Sequence, residues 1–270
     1  MAYNPFYLVE RGVPSLRKAI WRSFYGLLAR RFTMAEWTFM NYGYLPLDGQ
    51  QGALELDQAD EADRTCIQLY AHLFDDINLH GLDVLEVGSG RGGGSAWIAR
   101  TRGVKSMTGI DLAESAVQFC RQRHKADNLR YLQGDAENLP LDDNSVDVVI
   151  NVESCHHYPD LRAFFREVHR VLKPGGYFCV TDYRELSDLP EFHAVIENSP
   201  FEVISKADIT DNVVAALDHD DSSKRKLINE TVPAMWRNMI EHFAAIKGND
   251  MYDRFASKQM PYETYQLRKS

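Results

Sequence analysis

The most constraining feature of the chain is an apolar run that breaks into glycines, Val84-Leu85-Glu86-Val87-Gly88-Ser89-Gly90-Arg91-Gly92-Gly93-Gly94, followed by the helical pattern of Ala96, Trp97 and Ile98. A strand that turns at once into a helix needs glycines there. They permit the tight turn and let backbone N–H groups approach a ligand near the positive end of the helix. From Asp83 onward, short apolar runs alternate with amphipathic stretches, the pattern of βαβ units and a parallel sheet. Strands are expected at 84–87, 106–110, 129–132, 146–150 and 177–181, with helices at 114–124 and 161–172. The unbroken apolar character of the fourth strand predicts burial on both faces.

Upstream, apolar spacing predicts helices near 15–31 and 60–79, the second with Ile67, Tyr70, Ala71 and Phe74 on one face, separated by an aromatic segment at 37–44. After Asp182 the alternation weakens. Residues 186–251 read as mainly helical with a polar stretch at 218–226, a candidate substrate lid, and Val203-Ile204 and the run 262–267 are expected to supply the last two strands.

Composition narrows the function. A chain of 270 residues holds one domain with a sizeable core, and a net charge of −9 argues against nucleic acid as the main partner. The four cysteines, Cys66, Cys120, Cys155 and Cys179, lack paired spacing, so neither a disulfide scaffold nor a zinc site is implied and a reducing cytoplasm is expected. The first residues do not read as a signal peptide, and no stretch reaches transmembrane length. Residues 1–33 carry six basic side chains against Glu10 alone, and Leu16, Ile20, Phe24, Leu27 and Phe32 recur at helical spacing. A basic amphipathic helix of this kind can rest on an anionic membrane surface, giving weak peripheral contact. A cap helix packed on the core is the commoner outcome and is favoured here. Composition does not settle the oligomeric state; a homodimer is compatible with it.

Gly88, Gly90 and Gly93 satisfy GxGxxG, so the loop alone does not separate a dinucleotide enzyme from other nucleotide binders. Asp111, with Leu112 after it, closes the second strand, where a carboxylate accepts hydrogen bonds from both hydroxyls of a ribose; it can also cap the following helix. Loop and acid together point to an adenosine-containing ligand.

The remaining motifs carry a resemblance. Val84 through Gly92 resembles the first motif of the class I S-adenosyl-L-methionine-dependent methyltransferases. Gly134-Asp135-Ala136-Glu137-Asn138-Leu139-Pro140-Leu141 resembles their adenine-binding segment. The run 147–151 is similar to the strand beneath the methionine moiety, and Leu172-Lys173-Pro174-Gly175-Gly176 to their turn before strand five. The resemblance implies a doubly wound, Rossmann-like α/β fold with a seven-stranded, mostly parallel sheet. It would comprise an N-terminal helical cap (1–80), a cofactor-binding core (81–185), a helical lid (186–251) and a C-terminal strand segment (252–270). It further implies S-adenosyl-L-methionine as cofactor. Glu86 would position its methionine ammonium, Gly88, Gly90 and Gly92 would form the loop, and Asp111 and Leu112 would lie at the ribose. Asp135 and Ala136 would hold the adenine, Asn151 would lie beneath the methionine end, and Tyr42 and Tyr44 would fold over the cofactor.

Open α/β sheets bind ligands beyond the carboxyl ends of their strands, which places Asn151-Val152-Glu153-Ser154-Cys155-His156-His157-Tyr158 at the acceptor. Methyl transfer to a hydroxyl needs alignment and a base, and histidine titrates near working pH. Adjacent loop residues rarely project to one place, so one of His156 and His157 is expected to act. His156 is chosen because this stretch most resembles the mycobacterial phthiotriol and phenolphthiotriol dimycocerosate O-methyltransferases, which implies a small lipid-like or secondary-metabolite acceptor. Glu153 keeps a second chemistry open, C-methylation of an alkene, prenyl or sterol-like substrate. A nicotinamide-dependent oxidoreductase, or a binding protein without catalysis, remains a distant alternative. Cys155, His156 and His157 lack a second ligand cluster, so no metal is expected. Trp236, Met239 and Phe243 share a helical face suited to an apolar acceptor.

Overall fold

The computed structural model describes residues 37–49 and 54–270, so the expected basic helix at 15–31 lies outside the described residues. Among these, seven strands form one sheet. They are β1 (Asp83–Val87), β2 (Ser106–Asp111), β3 (Leu129–Gln133), β4 (Val146–Val152), β5 (Leu172–Tyr183), β6 (Phe201–Asp208) and β7 (Tyr262–Lys269), in the order β3-β2-β1-β4-β5-β7-β6. The first five run parallel, and β7 is antiparallel to both β5 and β6. Chain order reverses between β1 and β4, the position at which open α/β sheets form a ligand crevice.

The helices are α1 (Arg64–Leu73), α2 (Gly93–Thr101), α3 (Glu114–Arg123), α4 (Leu161–Val171), α5 (Leu189–Glu197), α6 (Thr210–Thr231), α7 (Ala234–Phe243) and α8 (Asp250–Ala256). They cover both faces of the sheet. Ile67 and Leu69 of α1, Trp97 and Ile98 of α2, Val213 of α6 and Phe255 of α8 bury one cluster against Val84, Val148 and Ile150. Phe164, Phe165 and Val168 of α4 with Phe192 and Val195 of α5 bury the other against Leu85, Val149 and Phe178. Side chains of the central strands are thus buried on both sides, as an unbroken apolar run requires.

Four boundaries differ from the sequence reading. Helix α1 stops at Leu73 rather than near 79, although Ile67, Tyr70, Ala71 and Phe74 are all buried as their spacing predicts. Strand β5 begins at Leu172, taking in the Lys173-Pro174-Gly175-Gly176 turn through a register shift opposite β4. The strand expected at Val203-Ile204 forms as the longer β6, an edge strand with only Phe201 buried, which explains why its apolar alternation is weak. The polar stretch 218–226 lies inside α6, and the C-terminal segment opens with residues 252–256 of α8 before the strand expected at 262–267, which runs on to Lys269.

A buried carboxylate ties the first units together. Glu86, 1% exposed in β1, accepts a hydrogen bond from the Tyr70 hydroxyl of α1 at 2.6 Å and another from the Ser95 hydroxyl of α2. Burial pushes its carboxyl up to about 7, against the pull of the two hydroxyl donors. Tyr70 reaches Glu86 across Gly94, where an added Cβ would stand 2.1 Å from the ring carbon Cζ.

Gly94→Ala is therefore expected to displace Tyr70 and destabilise the protein by roughly 1–3 kcal/mol, read as a lowered Tm. Glu86 also gives the ligand-free protein a pH dependence. Its folded-state value lies above the ordinary 4.5, so the stabilising contribution of the protonated form is complete below that value and is lost as pH rises through about 7. Glu86→Gln should flatten the fall in Tm between pH 5 and 8 relative to wild type; an identical slope would contradict this placement.

Candidate functional site

A cleft opens at the carboxyl ends of the parallel strands. It is bounded by the glycine loop, by Ile110 to Ala113 after β2, by Gly134 to Glu137 after β3, by Glu153 to Pro159 after β4, and by residues 38–42 crossing from the N-terminal side. Gly88 has φ +77, and a Cβ there would stand 2.3 Å from the Ser154 hydroxyl and 2.9 Å from the Tyr158 hydroxyl, so the close approach of the two loops demands glycine. Five of the loop's N–H groups are already engaged. Gly88 and Ser89 donate to the Ile110 carbonyl, Gly92 to Ser89, Gly93 to Thr38, and Gly90 to Asp111 Oδ2 at 2.9 Å. These internal hydrogen bonds fix the loop's shape, and its glycines give a ligand close approach.

Of the residues expected to hold a cofactor, Tyr42, Gly88, Gly90, Asp111, Leu112, Asp135 and Ala136 line the cleft. Asp111 Oδ1 also accepts from the Ala113 N–H, so its turn-capping role and its cleft position coexist, and burial raises its carboxyl above the usual range against the backbone donors of Ala113 and Gly90. Asp135 accepts from the Glu137 N–H at 3.1 Å, which shapes the turn carrying Ala136. Four residues are not on the cleft wall. Glu86 lies behind it with both oxygens engaged, while Tyr70, which donates to it, lines the cleft. Gly92 faces Tyr131 and Cys120. Asn151 is buried and its Nδ2 donates to the Val87 carbonyl at 2.9 Å and the Ser154 hydroxyl at 2.7 Å, stapling the loop after β4 to β1. Tyr44 stacks on His72, with ring centroids 4.2 Å apart.

The donor set fits a polar, nucleoside-sized ligand. Ser89 is 7% exposed and lines the cleft, yet its hydroxyl has no partner among the described residues, a buried polar group of the kind a ligand satisfies.

At the acceptor end, a 3₁₀ turn (Cys155–His157) brings both histidines to the cleft with ring centroids 3.8 Å apart, against the expectation that neighbours diverge. They differ in their partners. His156 Nδ1 lies 2.7 Å from Asp182 Oδ1 and its backbone N–H donates to Asp182 Oδ2 at 2.9 Å. Asp182 is 1% exposed at the end of β5; burial alone would raise its carboxyl, but His156 and the Arg184 guanidinium, 3.0 Å away, hold it well below the usual carboxylate range. An ionised carboxylate only accepts hydrogen bonds, so Nδ1 carries a proton and, in the neutral ring, Nε2 is the basic atom. Nε2 lies 3.1 Å from the Tyr183 hydroxyl, which then donates to it, and both groups line the cleft.

Glu153 also lines the cleft, with its Oε1 accepting from the Tyr42 N–H at 2.7 Å and the Tyr262 hydroxyl at 2.8 Å. Burial pushes this carboxyl up to about 8, opposed by those two donors. Of the three apolar residues expected from α7, Phe243 lines the cleft, whereas Trp236 and Met239 pack against Ile228, Val232 and Ile240. No group of three or more histidine, cysteine, aspartate or glutamate side chains suited to a metal forms among the described residues. No helix among them is long and apolar enough to cross a membrane.

Sequence reasoning missed Tyr70, Asp182, Tyr183 and Tyr262. Asp182 and Tyr183 close a strand adjacent to β4, and the strand-end rule that singled out Asp111 applies equally to them.

Known proteins resemble this chain in sequence and in fold. Residues 85–180 match the family described as a methyltransferase domain. The chain is 35% identical to the phthiotriol/phenolphthiotriol dimycocerosates methyltransferase of Mycobacterium tuberculosis (strain ATCC 25618 / H37Rv), over 96% of this chain and 95% of that one. It is 36% identical to a fatty-acid O-methyltransferase of Mycolicibacterium smegmatis, over 89% of this chain and 86% of that one. The fold is shared with geranyl diphosphate C-methyltransferase from Streptomyces coelicolor A3(2), at a TM-score of 0.63 and 17% identity over 91% of this chain and 98% of that one. The chain belongs to the class I S-adenosylmethionine-dependent methyltransferases, in the family of the phthiotriol/phenolphthiotriol dimycocerosates methyltransferases.

Proposed function

We propose that this enzyme transfers a methyl group to a hydroxyl of a lipid-like acceptor, with His156 as general base and Asp182 as the carboxylate that orients it. The observation that carries the reading is the 2.7 Å contact between His156 Nδ1 and Asp182, which leaves Nε2 as the basic atom on the cleft wall. S-adenosyl-L-methionine supplies an electrophilic methyl group on a sulfonium. Asp111 and Leu112 would hold its ribose, Asp135 and Ala136 its adenine, and Tyr42, Ser89 and the glycine loop would enclose its remaining length.

The chain's own residues do the rest. Residues 38–42 and the loop after β4 enclose the reacting groups, so that orientation replaces a bimolecular encounter. His156 Nε2 accepts the hydroxyl proton of the acceptor as its oxygen becomes nucleophilic, and Asp182 stabilises the imidazolium that forms. Tyr183 donates to Nε2 in the resting site and yields that position to the acceptor hydroxyl. Phe39, Met40, Tyr42 and Phe243 give the cleft apolar wall, which suits the lipid-like acceptors named for the relatives. A second reading, C-methylation with Glu153 taking the proton, is favoured by one observation: its carboxyl faces the cleft. Its Oε1 is committed to Tyr42 and Tyr262, which is why the hydroxyl chemistry is preferred.

His156→Ala should lower turnover on a hydroxylated acceptor by about 10² to 10⁴ while S-adenosylhomocysteine binding persists in calorimetry. Asp182→Asn should lower it in the same direction by a smaller factor; near-wild-type turnover in both variants would remove the dyad from the mechanism. NMR of the product made from ¹³C-methyl-labelled donor is expected to show a methyl ether carbon. A methyl group on carbon, with Glu153→Gln the more damaging change, would establish the second reading instead.

A further inference from the structure

Resting on the reading that the cleft holds S-adenosylmethionine, we propose that Glu153 is a positioning residue that latches residues 37–42 across the cleft and thereby gates exchange of the methyl donor and its product. This segment is tied to α1 through Asn41, whose Nδ2 donates to the Cys66 carbonyl at 3.4 Å and whose backbone carbonyl accepts from the Cys66 thiol at 3.5 Å, and to the loops around the cleft at three points. The Trp37 carbonyl accepts from Arg91 Nε, the Thr38 carbonyl accepts from the Gly93 N–H at 3.1 Å, and the Tyr42 N–H donates to Glu153 Oε1 at 2.7 Å. The first two anchors belong to the glycine loop and the start of α2, and the third to the loop after β4. The segment therefore bridges the two loops that flank the switch point, and residues 38–42 all line the cleft beneath it.

The Glu153 anchor is itself fixed from below. Its carboxylate accepts from the Tyr262 hydroxyl at 2.8 Å, and Tyr262 is wholly buried at the start of β7, with its N–H donating to the Thr210 hydroxyl. The Glu153 backbone has φ +46, a left-handed conformation that glycine or asparagine adopts at less cost. Neither of those reaches Tyr42 with a carboxylate. A strained residue held in place by its surroundings at a cleft is a functional signal when its side chain makes a contact the strain enables, and here that contact is the latch. The Tyr42 ring packs against Tyr183 at 5.7 Å and Phe255 at 5.1 Å, so lifting the segment also uncovers the wall that holds His156.

A nucleoside-sized ligand beneath a bridging segment leaves only when the segment lifts, so breaking the latch should accelerate both entry and exit. Stopped-flow binding of S-adenosylhomocysteine to the full chain reads both rate constants. Glu153→Ala is expected to raise association and dissociation several-fold, up to about tenfold, the scale of a lost hydrogen bond, with faster deuterium exchange at the Tyr42 amide. Glu153→Gln keeps the accepting oxygen and should stay close to wild type. Tyr262→Phe removes the hydroxyl that fixes Glu153, should shift both rates in the same direction, and carries the test if the alanine variant does not fold. Unchanged rates, or faster dissociation with unaltered association, would overturn the latch and make Glu153 an ordinary wall residue. Failure of the wild-type chain to bind S-adenosylhomocysteine at all would instead overturn the cofactor reading on which the latch rests.

Discussion

The structure depends on the pairing of β1 with β2 on one side and β4 on the other, all parallel and buried on both faces. Parallel pairing sends every loop that follows a strand to the same end of the sheet, and the reversal of chain order between β1 and β4 keeps those loops apart there. The cleft results from that separation. It needs no further device to exist, only glycine at position 88 to let the loop after β4 approach the loop after β1.

Three carboxylates then assign tasks around the opening, each with a different environment. Glu86, sealed behind the wall by Tyr70 and Ser95, joins α1, β1 and α2. Glu153 is held between the segment above the cleft and the start of β7. Asp182, flanked by His156 and Arg184, is the one whose charge is strongly favoured, which suits a group that must fix an imidazole tautomer and stabilise its cation. Burial pushes all three upward, and the nearby cations decide which stays ionised.

What could be read from the sequence was what lies close together along it. The strand, glycine loop and helix at 84–101 form one contiguous signal, and Asp111 and Asp135 follow strand ends at predictable spacing. The chemistry-bearing partners are distant: Asp182 lies 26 residues from His156, and Tyr262 lies 109 from Glu153. No periodicity announces such pairs, because strand order rather than sequence brings them together. Tyr44 shows the converse. An aromatic near the cleft in sequence found a nearer partner in His72, and only Tyr42 turned inward. Edge strand β6, exposed along almost its whole length, was marked in the sequence by Val203-Ile204 alone, because no buried face imposed alternation on it.

The central claim is that Asp182 sets His156 as a base toward the cleft. Nitrogen-15 NMR of histidine-labelled enzyme bound to S-adenosylhomocysteine tests it directly, with His156 picked out of the nine histidines by its absence in His156→Gln. The account predicts a neutral His156 ring protonated at Nδ1, with Nε2 showing the shift of an unprotonated nitrogen. A proton on Nε2 instead would leave no basic atom facing the acceptor and would contradict the mechanism.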